Sequence, residues 1–305
     1  MTESYRLALW ATNLGPHFTT IDAWLDHVRA RAGRAVAGGA RLLVMPEYAC
    51  EAWLGFKPTE LRPDQEIAWL ASVAADALPG LRLLAREAGL TLLPGTMPWA
   101  VGGGFRNRAW LLAPDGRVMA QDKLCLTPSE RDPQTWLLEP GTDLRIVELD
   151  GLRLAVLVCL DVELPALSSL LAEARLDLLL VPSMTSPSGH GRVFGCAKAR
   201  AVELMCAVAC TGVVGVSPGT TQNDQNVSAT AIYLPCEPAL GRSGVLLETP
   251  ATDGLSGEDP LDVVDLPIGA LRRLRSAGGE VWPGSWSADH VSISEGWSIS
   301  EGWQA

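Results

Sequence analysis

The chain has 305 residues, 48% of them hydrophobic and 19% charged, with a formal net charge of −11 at pH 7. That composition is ordinary for a globular protein with a sizeable core. The acidic balance argues against nucleic acid as a partner, because phosphate binding needs clustered Lys and Arg.

The opening "MTESYRLALWATNLG" has an acidic residue at position 3 and only a short apolar run, so it reads as a first strand and not as a secretion signal. Residues 19–38 suit a helix ending near Gly38-Gly39, and "ARLLVMPE" is again a strand. Residues 64–88 suit a helix, with Pro79-Gly80 as a candidate break. "GLTLLPGTMP" and "FRNRAWLLAPDGRVMAQD" read as consecutive strands, the latter folded into a hairpin at Asp115-Gly116. "LRIVELDGLRLAVLVC" is a second hairpin with an Asp-Gly turn, followed by a helix over 163–174 and the strand "LDLLLVPS". A helix near 192–205 leads into "CAVACTGVVG". The strands "SATAIYLP", "GVLLET" and "LDVVDLP" and the basic helix "IGALRRLR" complete the pattern. Alternating helix and strand implies an α/β fold with helices layered on sheet.

Neither polar loop late in the chain, 215–227 or 249–260, reads as a domain linker, so residues 1–285 are expected to form one domain. A tail over 286–305 follows, with "SISEGW" twice at 292–297 and 298–303. Two copies of a hexamer are too few and too short for a repeat fold. No uncharged apolar stretch approaches ~18 residues, so no membrane span is expected and a reduced cytoplasmic location is the default.

Seven dispersed cysteines (50, 125, 159, 196, 206, 210 and 236) form no C-x-x-C pair, and the four histidines at 17, 27, 190 and 290 are scattered. Zinc sites need tight Cys or His pairs, so no structural metal is expected. A dinucleotide cofactor is not expected either. No G-x-G-x-x-G follows a strand and opens a helix, and "GGGF" at 102–105 sits between strands.

Three apolar runs end on chemically useful residues. "LRLAVLVCLDVELPAL" delivers Cys159 where a strand stops and a helix starts, with Asp161 as a helix cap or a substrate contact. That position suits a nucleophile and equally an ordinary packed cysteine. "RLLVMPEYA" delivers Glu47, and "GRVMAQDKLCLTPSE" delivers Lys123, with Glu130 seven residues on. Ligands gather where strand carboxyl ends meet in layered α/β proteins. There an ammonium favours the thiolate, a carboxylate takes the thiol proton, and the ammonium with the Leu160 N–H stabilises a developing oxyanion.

These residues carry a family resemblance. Glu47 in "LLVMPEY", Lys123 in "DKLCLTPSE" and Cys159 in "LAVLVCLD" resemble the Glu-Lys-Cys triad of the nitrilase (carbon-nitrogen hydrolase) superfamily. "GFRNRAWLLAPDGRV", "LDLLLVPSMT", "GVLLE" and "LDVVDLPIGALRRLR" resemble that family's other segments in order. "ARAVELMCAVACTGVVG" resembles its R-A-x-E-N segment, with Leu204 where Asn is usual. The resemblance implies a four-layer α-β-β-α sandwich, no cofactor, and a homodimer or higher homo-oligomer. It also implies a second glutamate that holds the lysine. Glu130 fits that place, with Glu139 in "LLEPG" as the alternative further along.

Leu160-Asp161 follows the cysteine where nitrilases carry Trp-Glu, which is closer to the amidase branch. The resemblance therefore implies a cysteine-dependent amidohydrolase acting through a thioester. A true nitrilase and a non-catalytic binding relative are the alternatives. The family pattern also places Tyr48, Trp53, Trp136, Leu160 and Met184 near the triad as substrate-lining candidates, with plain packing as the competing role. Arg106, Arg131 and Arg192 are unranked candidates for an anion contact. Arg200 and Glu203, three apart on a helix, read as a structural ion pair, and His190 as solvent-exposed.

Overall fold

A computed structural model describes residues 3–220, 224–277, 279 and 290–293. Apart from residues 292 and 293, the duplicated hexamer lies outside them. The first half runs β1 (Tyr5–Trp10), α1 (Ile21–Ala37), β2 (Leu42–Met45), α2 (Glu66–Ala88), β3 (Thr91–Pro94), β4 (Thr96–Val101), β5 (Gly104–Leu112), β6 (Val118–Asp122) and α3 (Pro128–Arg131). The second runs β7 (Ile146–Leu149), β8 (Leu152–Val156), α4 (Pro165–Leu171), β9 (Leu178–Ser183), α5 (Pro187–Glu203), β10 (Ala207–Gly212), β11 (Thr230–Tyr233), β12 (Val245–Glu248), β13 (Leu261–Leu266) and α6 (Ile268–Ala277).

The strands make two sheets. One is ordered β13-β1-β2-β3-β5-β4 with β6 also on β5, and the other β12-β11-β10-β9-β8-β7. Strand alternation explains how they stack. In β1, Leu7 and Leu9 point into the core shared by the two sheets, while Ala8 and Trp10 point into a second core beneath α1 and α2. In β2, Leu42 and Val44 take the first side and Leu43 and Met45 the second. Val193, Phe194, Ala197 and Ala201 of α5, with Ile268 and Leu271 of α6, cover the far face of the second sheet. The order is therefore helix, sheet, sheet, helix, the four-layer α-β-β-α sandwich. β13 pairs antiparallel with β1 from Tyr5↔Leu266 to Trp10↔Leu261, so the last strand closes beside the first.

The structure departs from the sequence-based boundaries at three places. Helix α2 runs unbroken through Pro79. Tertiary packing holds it together: Ala74, Ala77, Leu81 and Leu84 are buried, and at Gly80 a Cβ would come within 2.7 Å of Leu25 Cδ1 on α1. Helix α5 starts at Pro187, five residues earlier than expected, because Ser186 caps it by accepting the Gly189 N–H at 3.3 Å and Pro187 suits the first turn. His190 is consequently half-buried in that first turn, its ring 4.1 Å from Phe194, and not solvent-exposed in a loop. The expected 163–174 helix is divided into a 3-10 turn over Cys159–Glu163, α4, and another 3-10 turn over Ala172–Ala174.

Helix α2 with the turn before it is long and apolar enough by composition to cross a membrane. Here its apolar side packs on the first sheet and on α1, which accounts for that composition.

Candidate active site

Strands β1, β2 and β3 are mutually parallel, as are β8, β9 and β10. β6 runs the same way as β3, because each is antiparallel to β5. The carboxyl ends of β2, β6, β8 and β9 therefore meet at one edge of the sandwich, where a layered α/β protein places its ligand. Glu47 follows β2, Lys123 follows β6, Cys159 follows β8 and Met184 follows β9.

Lys123 lies between two carboxylates. Its Nζ is 2.8 Å from Glu47 Oε1 and 2.8 Å from Glu130 Oε2, and all three side chains are almost wholly buried. Glu47 is fully engaged: Oε1 also accepts Asn107 Nδ2 at 2.9 Å, and Oε2 accepts the Met184 N–H at 2.9 Å. The Cys159 thiol has two acceptors within reach, the Glu47 carboxylate and the Met184 carbonyl at 3.5 Å. Cys159 itself has φ +50°, a left-handed conformation. That conformation costs a residue with a Cβ about 1–3 kcal/mol and is concentrated at functional sites. Tyr48, beside Glu47, has φ +53°.

Glu130 does two things at once. It is the third helical residue of α3, and its Oε2 accepts the Thr127 N–H at 2.9 Å while Thr127 Oγ1 accepts the Glu130 N–H at 3.4 Å, a capping box. The carboxylate that caps the helix is also the counter-ion of Lys123, and its Oε1 accepts Tyr48 OH at 2.9 Å. Glu139, the alternative, is exposed and lies 3.9 Å from Arg106, away from the lysine.

Two further residues escaped the sequence reading in whole or part. Asn107, fully buried in β5, donates through Nδ2 to both Glu47 and Glu130 (3.3 Å to the latter), and its carbonyl accepts the Lys123 N–H at 2.8 Å. Its signal was an uncharged amide at the centre of the strand "FRNRAWLL". Asp161 caps the Cys159–Glu163 turn through the Val158 N–H, as the sequence allowed, and does more than cap. Its carboxylate accepts the N–H groups of Leu124 (3.2 Å), Cys125 (2.8 Å) and Val158 (3.1 Å), fastening the segment after the lysine to the one before the cysteine.

Burial and the neighbouring charges set the protonation states. Burial pulls Glu130 upward, but the Lys123 ammonium and the Thr127 and Tyr48 hydrogen bonds outweigh it and hold the carboxyl below its ordinary value. For Glu47 burial wins over Lys123, and its carboxyl is raised. Burial alone would lower Lys123, yet two carboxylates keep it firmly charged. Cys159 is pushed well up, first by burial and then by Glu47, with Lys123 opposing. Lys123 does favour the thiolate, as expected, but burial and Glu47 outweigh it, so the thiol keeps its proton for the base beside it.

These groups border a cavity of about 280 Å³, small for a ligand pocket, whose lining includes Glu47, Lys123, Glu130 and Cys159. Tyr48, Trp136, Leu160 and Met184 also line it. Tyr48 and Trp136 pack together with ring centroids 4.9 Å apart. Trp53 does not line the cavity. Its turn directs it into the helix–sheet core, edge-on to Trp24 at 5.2 Å and fully buried. Among the described residues, no group of three or more His, Cys, Asp or Glu side chains is placed to hold a metal ion.

Comparison with known proteins gives the family and the fold. The carbon-nitrogen hydrolase family profile matches residues 10–235. A probable hydrolase of Bacillus subtilis, YhcX, is 27% identical over 80% of this chain, and the aligned part spans 46% of that relative's length. A hydrolase of Mycobacterium tuberculosis is 29% identical over 68% of this chain and 72% of its own. Among solved structures, an amidase from Nesterenkonia sp. superposes with a TM-score of 0.66 at 26% identity, covering 91% of this chain and 96% of that one.

Proposed function

The chain belongs to the carbon-nitrogen hydrolase family, and from that premise we propose that it hydrolyses the C–N bond of small non-peptide amides through a thioester on Cys159. The observation that carries this reading is the Lys123 ammonium held between Glu47 and Glu130, with the Cys159 thiol close enough to the same Glu47 to be pushed up by its charge. A base, a cation and a nucleophile that share one buried network on one cavity are what acyl transfer needs.

In the first half-reaction Glu47 takes the thiol proton as Sγ attacks the amide carbonyl carbon. Lys123 and the Leu160 N–H stabilise the oxyanion of the tetrahedral intermediate. Glu47 returns the proton to the departing nitrogen, the C–N bond breaks, and ammonia or an amine leaves the thioester behind. Glu47 then deprotonates a water that attacks the thioester carbonyl. Collapse expels the Cys159 sulfur, which recovers its proton, and releases the carboxylic acid. Glu130 and Asn107 stay in place throughout and fix the lysine and the base.

Neighbouring proteins support the choice of amide over nitrile. The Nesterenkonia enzyme is described as an amidase, and it has been solved with butyramide and with an acetamide moiety attached to its active-site cysteine. The small cavity volume is consistent with substrates of that size.

Wild type and Cys159→Ala incubated with a panel of small amides, carbamoyl compounds and nitriles, with ammonia and intact-protein mass measured, test the proposal. Ammonia from amides with an acyl adduct on wild type alone is expected. Undiminished turnover by Cys159→Ala would overturn it, and release from nitriles only would replace amide with nitrile as the substrate class.

A further inference from the structure

The cavity lining carries three carboxylates, Glu47, Glu130 and Glu163, and two cations, Lys123 and Arg192. Lys123 is engaged by two carboxylates deep in the site. Arg192 is different. Its Nε donates to Glu163 at 3.0 Å, and its two terminal nitrogens bond nothing among the described residues. Its side chain is 61% exposed, whereas Glu163, on the turn that carries the nucleophile, is 15% exposed. A guanidinium held by one edge keeps its other donors directed as a rigid fork, the arrangement that takes a carboxylate through two hydrogen bonds.

The competing account is that Arg192 merely staples α5 to the nucleophile turn. That fastening is already made two helical turns on by Arg200, whose side chain is 6% exposed and whose Nε donates to the Val162 carbonyl at 3.0 Å. An exposed ion pair adds little beside it. The other two arginines considered for an anion fall away. Arg106 is 3.2 Å from Asp122, and Arg131 is exposed and outside the cavity lining.

We propose that Arg192 determines specificity by binding a carboxylate on the acyl part of the substrate, so that the preferred substrates are monoamides of dicarboxylic acids. This rests on the amidase reading above and names its substrate class. Because the other cation is neutralised within the catalytic network, Arg192 alone separates an anionic acyl group from its uncharged analogue. The carboxylate enters last, at the exposed end, while the amide lies against Cys159.

The test compares succinamate with butyramide and glutaramate with pentanamide on wild type, Arg192→Gln and Arg192→Lys. Wild type is expected to favour the carboxylate member of a pair by about 10- to 100-fold in kcat/KM, the range of a charge-assisted contact. In Arg192→Gln the kcat/KM ratio within each pair falls to about one, mainly through a higher KM for the carboxylate member, and Arg192→Lys regains part of the preference through its point charge. Equal or better turnover of the uncharged amides by wild type would overturn the inference while leaving the amidase reading intact. A parallel loss on both members of each pair in Arg192→Gln would overturn it as well, marking a structural staple. Absence of turnover on all four amides, with no adduct on Cys159, would remove the amidase reading and this inference with it.

Discussion

Lys123 Nζ and Glu130 Oε2 lie 2.8 Å apart, and that same oxygen accepts the Thr127 N–H that opens α3. One carboxylate thus joins a helix cap to the counter-ion of a buried ammonium. Because the capping residue is fixed by its own helix, the lysine is positioned by secondary structure as much as by charge.

Glu130→Gln keeps an oxygen for the cap but removes the charge, whereas Glu130→Ala removes both. The glutamine variant is expected to lose turnover and some stability, because the buried ammonium loses a charged partner while the cap is kept. The alanine variant is expected to be less stable by about 3 kcal/mol or more, since a buried ammonium loses one of its two partners. Urea unfolding followed beside ammonia release separates the two effects.

Asn107→Leu removes the one amide nitrogen shared by Glu47 and Glu130. A hydrogen bond to the charged form favours that form, so its loss raises the Glu47 pKa further. Glu47 must be ionised to act as base, and the acid limb of the kcat/KM–pH profile is therefore expected to move to higher pH. A uniform drop with an unmoved limb would mean that Asn107 only packs.

Glu47→Gln is expected to lower turnover by roughly 10²- to 10⁴-fold, the usual contribution of a general base. The same change takes away a negative charge that raises the Cys159 pKa. At a fixed neutral pH, alkylation of Cys159 by iodoacetamide should then be faster in the variant than in wild type, although catalysis has collapsed. Slower alkylation in the variant would contradict the assignment of a protonated resting thiol.

Asp161 gives a pH dependence to stability. Burial, only partly offset by the Leu124, Cys125 and Val158 N–H donors, raises its pKa from 3.8 to about 6. A folded-state value above the unfolded one means that the folded chain binds this proton more tightly. The resulting stability is full below about pH 4 and is lost as the pH rises through about 6. Compared with Asp161→Asn, wild type should lose up to about 3 kcal/mol over that window. Denaturant midpoints at a series of pH values measure it.

How much was legible beforehand differs from residue to residue. Runs such as "RLLVM" and "LRLAVLV" placed the strands, since burial on both faces demands unbroken apolar sequence. The residues just beyond those runs, Glu47, Lys123 and Cys159, stood out as charge or thiol at a strand's end, and family resemblance grouped them. Which partners they meet was not legible, because periodicity assigns a side chain to a face and not to a neighbour. Trp53 and Trp136 read alike in sequence, yet the 3-10 turn after Glu47 sends one into the helix–sheet core and the other borders the cavity.

The sequence by itself therefore determined the alternation of elements, the layered class and the chemical types present at the strand ends, all local or periodic properties of one chain segment. Tertiary structure alone decided that Glu130 and not Glu139 meets the lysine, that Asn107 bridges two carboxylates, that Asp161 ties two loops together, and that the thiol rests protonated. Each depends on distances of a few ångströms between residues up to 137 positions apart, as between Glu47 and Met184, and on how deeply they are buried together. Hydrogen bonding and desolvation act through space, and the register of two stacked sheets sets that space.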